Sequence, residues 1–198
     1  MEVIQQERSL RDSGIFLLTD TEVQADADAS NSIYAELLEY VVAANMNPHI
    51  NHRLIILINQ RGGSVFHAQA ASIAMRSSRL TVSTWVLGHA ASAATHISVA
   101  GTKGKRFCFP ESLFLFHSFS TNAFGNYHSL QADRKCHDTM RELEIQHYLI
   151  NSTLSREDVI NKLLKPTDTW LGAEEALEYG LVDHIVKEFP FRDLWPTK

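Results

Sequence analysis

Cysteine is scarce: two residues in 198, Cys108 and Cys136, supply no metal or disulfide framework. Reduced thiols in a reducing compartment are the expectation. Nine glycines and five prolines are scattered, with no linker, repeat or low-complexity stretch, so one domain over residues 1–198 is expected. Positive charge is also limited. Eighteen Lys and Arg face 23 Asp and Glu, and the net charge of −5 is spread along the chain. Without a basic stripe, nucleic acid is excluded as the main partner. Apolar runs such as Ile55–Ile58 and Phe114–Phe116 are of strand length and cannot span a bilayer. The first eight residues lack a basic region followed by an apolar core, so no signal peptide is read and a cytoplasmic protein is expected. The ten histidines form no HExxH pattern, and the Gly62-Gly63-Ser64 turn lacks the Gly-Lys pair of a P-loop. Neither a metal nor a nucleotide cofactor is expected on this chain.

What remains is an ordinary globular composition, 44% apolar and 21% charged, in a chain long enough to bury roughly 70% of its unfolded surface. Ile15–Leu18 reads as a short buried strand. Residues 29–45 carry apolar side chains at Ile33, Leu37, Leu38, Val41 and Val42, which is helical spacing. Leu54–Asn59 is a near-continuous β-branched run, as in a strand covered on both faces. Helix over Val65–Ser77, strand over Leu80–Leu87 and helix over Ser92–Ala100 follow, separated by Gly62-Gly63 and Gly88. This alternation predicts α/β crossover units around a parallel sheet. Arg106–Phe109 and Leu113–Phe116 read as short strands. Leu130–Ser152 reads as one long helix marked by Leu130, Met140, Leu143 and Ile150. Ser155-Arg156-Glu157-Asp158 predicts a capped helix start, and Gly172–Tyr179 a last helix closed by Gly180.

The chemistry concentrates at Gly88-His89-Ala90-Ala91-Ser92-Ala93, with Gly62-Gly63-Ser64 upstream and His117 and Asp168 downstream. A serine hydroxyl needs a base within hydrogen-bond reach, and histidine takes and returns a proton near neutral pH. A carboxylate fixes the imidazole tautomer. Ser92 at a helix start leaves the Ala93 N–H free as one oxyanion donor, and Gly63 N–H is the natural second. Plainer readings exist for each residue. Ser92 can cap its helix, and His117 and Asp168 can be a packed imidazole and a surface carboxylate. His96 is a rival base one turn along from Ser92, and Lys103 and Lys105 are rival bases of a Ser-Lys site. Glu144-Ile145-Gln146-His147 has the spacing of a di-iron bundle motif, but a single copy reads as a solvated helix face.

Five stretches in order resemble the proteolytic subunit of Clp protease. They are Ile58-Asn59-x-x-Gly62-Gly63-Ser64-Val65, Gly88-x-Ala90-Ala91-Ser92, Gly101-x-Lys103-Gly104-Lys105-Arg106-Phe107, Phe116-His117, and Ala173-Glu174-Glu175-Ala176-x-Glu178-Tyr179-Gly180-Leu181-Val182-Asp183. The resemblance runs from about Ile15 to Ile185. It implies a ClpP/crotonase-type α/β spiral of βαβ units with a protruding handle at about residues 119–153. It also implies Ser92 as nucleophile, His117 as base, Asp168 as orienting carboxylate, and Gly63 and Ala93 at the oxyanion hole. The implied activity is serine endopeptidase cleavage of unfolded polypeptides inside a chamber. The implied partners are further copies of the chain, in a heptameric ring that can stack as a tetradecamer, and an AAA+ unfoldase that spends ATP. The sequence departs from the family at Gln60-Arg61, where Ser-Pro is usual, at Ser118-Phe119 after the histidine, in the shortened handle segment Thr121–Asn126, and at Thr167. Two other readings stand beside it: a structural ring subunit with throttled activity, and an acyl-CoA enzyme of the crotonase type.

Overall fold

Leu54–Gln60 forms strand β2, buried along nearly its whole length as its β-branched run requires. In the computed structural model, which describes residues 10–20, 27–48, 50, 53–120 and 124–189, β2 lies between two parallel neighbours. On one side is β1 (Ile15–Thr19), paired from Ile15↔Ile55 to Thr19↔Asn59. On the other is β3 (Val82–Ala91), paired from Leu54↔Val82 to Ile58↔Val86. Helices α1 (Ala27–Met46) and α2 (Val65–Arg76) connect these strands as crossovers, and α3 (Ala93–Val99) follows β3. Their apolar faces and one face of the sheet form the main core, with Tyr34, Leu37, Ile56, Ile58 and Ile97 sealed from solvent. Each such side chain contributes about 1.5–3 kcal/mol by burial.

The third strand divides its neighbours. Thr84–Val86 pair with β4 (Arg106–Cys108), whereas His89–Ala91 pair with β5 (Leu113–Phe116), both parallel. β5 in turn pairs antiparallel with β6 (Thr169–Leu171), and β4 pairs with β7 (His184–Ile185). The expected α/β class with a parallel core is found. β6 and β7 were not anticipated, because strands of three and two residues carry no readable periodicity and exist only through their partners.

The long helix is α4, Tyr127–Asn151, 25 residues and about 37 Å long. It starts three residues before the expected Leu130 because the Asn126 side chain accepts from the His128 and Ser129 N–H groups as an N-cap. Its packed face also differs from expectation. Leu130, Leu143 and Ile150 are exposed, while Glu144, Ile145, His147, Tyr148 and Asn151 are buried. The reading of Glu144 and His147 as a solvated face is therefore corrected. Both lie against His96 of α3: Glu144 Oε1 is 3.6 Å from His96 Nε2, and His147 stacks on the His96 ring with its Nε2 3.1 Å from the His96 carbonyl. The expected helix start at Ser155 is found, with Ser155 Oγ accepting from the Asp158 N–H at 3.1 Å. This α5 (Arg156–Asp158) continues as a π-turn over Val159–Leu163. The last helix, α6 (Ala173–Glu178), lies within the range read from sequence, and Gly180 follows with φ 67°. Residues 121–123 of the shortened handle segment and the tail 190–198 lie outside the described residues.

An ion pair between a buried arginine and a half-buried aspartate ties these parts together. Arg106, 3% exposed, donates through Nε and Nη2 to the Asp183 carboxylate at 2.9 and 2.6 Å, and through Nη1 to the Asn151 carbonyl at the end of α4. Asp183 also accepts the Gly104 and Arg106 N–H groups. Burial alone would raise the Asp183 pKa, but the Arg106 guanidinium and the two amides outweigh it and hold the carboxyl below its usual range.

Candidate active site

Ser92 sits where β3 passes into α3. Its N–H donates to the Leu115 carbonyl of β5 at 2.9 Å. Its backbone has φ 54° and ψ −126°, the first corner of a type II′ turn, where glycine is usual. Such a conformation costs about 1–3 kcal/mol and persists only where the surroundings over-determine it. Ser92 holds the N-cap position of α3, yet its side chain makes no capping bond. The hydroxyl is not spent on the helix, and the capping reading fails.

The glycine turn is fitted against this serine. Gly62 has φ 120°, and a Cβ there would lie 2.7 Å from Ser92 Cβ and 2.8 Å from the Ala91 carbonyl. No side chain fits at that position. Proline is absent before the turn, and two other devices hold it. Gln60, fully buried, accepts the Gly62 N–H through Oε1 at 2.7 Å. Asp20 accepts the Arg61 N–H and lies 3.4 Å from Arg61 Nε. Between the pairs Ile58↔Val86 and Gln60↔Ala90, β3 carries two residues more than β2. The Asn59 side chain fills this bulge by accepting the His89 N–H at 3.2 Å. The bulge advances Ser92 to the level of Gly62. Ala93, the first residue of α3, is buried and has no intrahelical acceptor for its N–H.

His117 follows the last residue of β5, and Asp168 precedes the first residue of β6. Phe116 pairs with Thr169 in the antiparallel register, so one further step sets His117 opposite Asp168. The three residues therefore stand at one edge on three adjacent strands, β3, β5 and β6. The side chains are less closely joined. His117 Nδ1 is 2.8 Å from the Ser118 carbonyl, Asp168 is exposed, and among the described residues no hydrogen bond links Ser92 to His117 or His117 to Asp168. His96, the rival base, is buried at 2% exposure, stacked on His147 at 4.6 Å, away from the turn.

Gly63, Ser92 and His117 line one groove of about 320 Å³. Its other wall comes from Phe66 of α2 and from Cys136, His137 and Met140 of α4. These α4 residues were not anticipated. Their only sequence signal is a stripe, His137, Met140, Glu144, Tyr148 and Asn151, at helical spacing. Of the two thiols, Cys136 is exposed at the groove and Cys108 is buried in the sheet. Burial, aided by the nearby Glu174 charge, pushes the Cys108 thiol up to about 12, which leaves it unreactive. Among the described residues no cluster of three or more His, Cys, Asp or Glu could hold a metal, and no helix is long and apolar enough to cross a membrane.

A parallel α/β sheet with crossover helices, a long handle helix and a glycine turn packed on a strained serine defines a protein of the ClpP/crotonase class. Comparison with known proteins narrows this. Residues 3–189 match the Clp protease family, and the chain belongs to that family. It is 32% identical over 181 residues, 91% of this chain and 83% of the other, to the ATP-dependent Clp protease proteolytic subunit of Deinococcus radiodurans. It is 33% identical over 183 residues, with the same coverages, to ATP-dependent Clp protease proteolytic subunit 2 of Nocardia farcinica. It is 36% identical over 172 residues, 86% of this chain and 78% of the other, to ATP-dependent Clp protease proteolytic subunit 1 of Corynebacterium diphtheriae.

Proposed function

We propose that this chain is a serine endopeptidase subunit of Clp type, with Ser92 as nucleophile, His117 as general base and Asp168 as the carboxylate that orients it. The observation that carries the reading is the shared groove, where Ser92, His117 and the Gly63 turn face one another. His117 Nε2 takes the Ser92 proton as Oγ attacks the substrate carbonyl. The oxyanion is received by the Gly63 and Ala93 N–H groups. The imidazolium returns its proton to the leaving amine, and water releases the acyl group by the same route in reverse. Asp168 stands opposite His117, one step beyond the Phe116↔Thr169 pair, so a rotation about His117 χ angles with a movement of the strand ends would unite them.

Names of the relatives extend the reading to assembly. We place the chain in a closed ring, heptameric and able to stack as a tetradecamer, that admits unfolded polypeptide into a chamber. An AAA+ unfoldase spends ATP on its behalf, this chain itself carries no cofactor, and the cytoplasm is its compartment. A fluorophosphonate probe tests the site: it should label Ser92 covalently, and Ser92→Ala should abolish the labelling. Labelling that survives the substitution overturns it.

A second reading is favoured by one observation. His117 Nδ1 is engaged by the Ser118 carbonyl and not by a carboxylate. A throttled ring subunit would keep that arrangement after assembly. Light scattering with a small-peptide cleavage assay separates the two, since a large particle that never cleaves supports the second reading.

A further inference from the structure

The strained backbone of Ser92 is held from an unexpected direction, the base of the handle helix. Thr95 donates through its N–H at 2.9 Å and through Oγ1 at 2.6 Å to the Ser92 carbonyl. Thr95 Oγ1 is also 2.7 Å from the Tyr148 hydroxyl of α4. A carbonyl only accepts, so the Thr95 proton is committed to Ser92 and the Tyr148 hydroxyl is the donor to Thr95. We propose that Tyr148 and Thr95 are positioning residues for the oxyanion hole: their relay fixes the Ser92 carbonyl and thereby aims the Ala93 N–H into the groove. The proposal rests on the reading of Ser92 as nucleophile.

The physical link is the peptide plane. The Ser92 carbonyl and the Ala93 N–H belong to one planar trans unit and point in opposite directions. Drawing the carbonyl toward the core turns the N–H outward, to where negative charge develops in the transition state. The relay is dry, with Thr95 at 0% and Tyr148 at 2% exposure, so no water replaces a lost partner. Burial, reinforced by the Glu144 charge, holds the Tyr148 phenol far above its usual range, so it keeps the proton it donates to Thr95. Its ring is also caged. It meets Phe116 edge-on at 5.4 Å and His96 at 5.3 Å. Phe116 immediately precedes His117. One side chain of the handle helix therefore touches both the helix that starts at the nucleophile and the strand that ends at the base.

Three variants of the assembled full-length protein test this, read by the rate of fluorophosphonate labelling and by kcat and KM on a small peptide. Thr95→Val keeps the shape and loses the hydroxyl. Tyr148→Phe keeps the ring and loses the donor. Each should lower labelling rate and kcat by roughly three- to tenfold with KM unchanged, because only the transition state uses the donor. Thr95→Ser should retain the wild-type rate. A Thr95→Val or Tyr148→Phe enzyme as fast as wild type, or a Thr95→Ser enzyme as slow as Thr95→Val, overturns the proposal while the Ser92 reading stands. A wild-type protein that does not label overturns both.

Discussion

Toward the core, Ser92 is fixed by its bond to Leu115, by two bonds from Thr95 and, behind Thr95, by Tyr148. Toward the groove, the same residue meets His117 without a hydrogen bond, and Asp168 stands exposed at the start of its strand. The two regions differ in what holds them. The core side is made of paired strands and buried polar groups with few alternatives. The groove side is made of strand ends and of residues next to the shortened handle segment, where a rotation changes partners at little cost. Ser92 and the Gly62-Gly63 turn are thus fixed by the single chain, whereas His117 and Asp168 are left adjustable. Under the proposed function, that division suits a peptidase whose triad is aligned on assembly.

The largest way to break the core side is Arg106→Met, which leaves the half-buried Asp183 without its partner and frees the end of α4. It should cost about 3–5 kcal/mol of stability, measured by urea unfolding; a loss below 1 kcal/mol on the order of a surface pair would show that α4 is held by other means. Next is the seam between the regions. Gly62→Ala should lower the melting temperature, because its Cβ would lie 2.7 Å from Ser92 Cβ and 2.8 Å from the Ala91 carbonyl at a φ of 120°, and should lower kcat by about 10²-fold through displacement of Gly63, the proposed oxyanion donor. Wild-type kcat in that variant would remove the turn from the mechanism.

A titration sharpens the comparison further. Burial, then the charges of His96 and Arg76, hold the His147 pKa well below its ordinary 6.5, against the opposing bond to the His96 carbonyl. Below pH 6.5 the unfolded chain binds a proton there that the folded chain refuses. Stability from this group is therefore full above that pH and falls as pH drops toward the lowered value. The slope is at most about 1.4 kcal/mol per pH unit. His147→Gln should flatten it, and an unchanged slope would assign the acid sensitivity elsewhere. The smallest effect belongs to the surface. Hydrogen bonds from Arg156 and Gln146 hold the exposed Glu142 carboxyl down at about 2, yet Glu142→Gln should scarcely move the melting temperature, and not at all in high salt. A large shift would mean that the base of α4 depends on this pair.

Much of this was legible without coordinates. The run Leu54–Ile58, the glycine breaks and the placement of Ser92 at a helix start follow from local periodicity and turn chemistry. The replacement of proline by Gln60-Arg61 was visible as a departure, but not its remedy, because a buried glutamine accepting from Gly62 and an aspartate reaching from residue 20 are long-range events. The long helix was legible as a helix and misread as to its faces. Glu144, His147 and Tyr148 look like a polar surface until α3 supplies their partners. β6 is the clearest case. Three residues carry no pattern, yet their antiparallel register alone brings residue 168 level with residue 117.

What the amino-acid order settled by itself was the set of short-range choices: which segments coil, which extend, where glycine must bend the chain and which residue types are present for acyl transfer. These depend on neighbours a few positions apart, and a linear pattern records them. What only the folded chain decided was adjacency: that β5 lies between β3 and β6, that the handle helix buries its polar stripe beneath the serine, and that a tyrosine 56 positions downstream of Ser92 governs its peptide plane. Those depend on which distant surfaces exclude water together, and that is a property of the packed molecule, not of any stretch of its sequence.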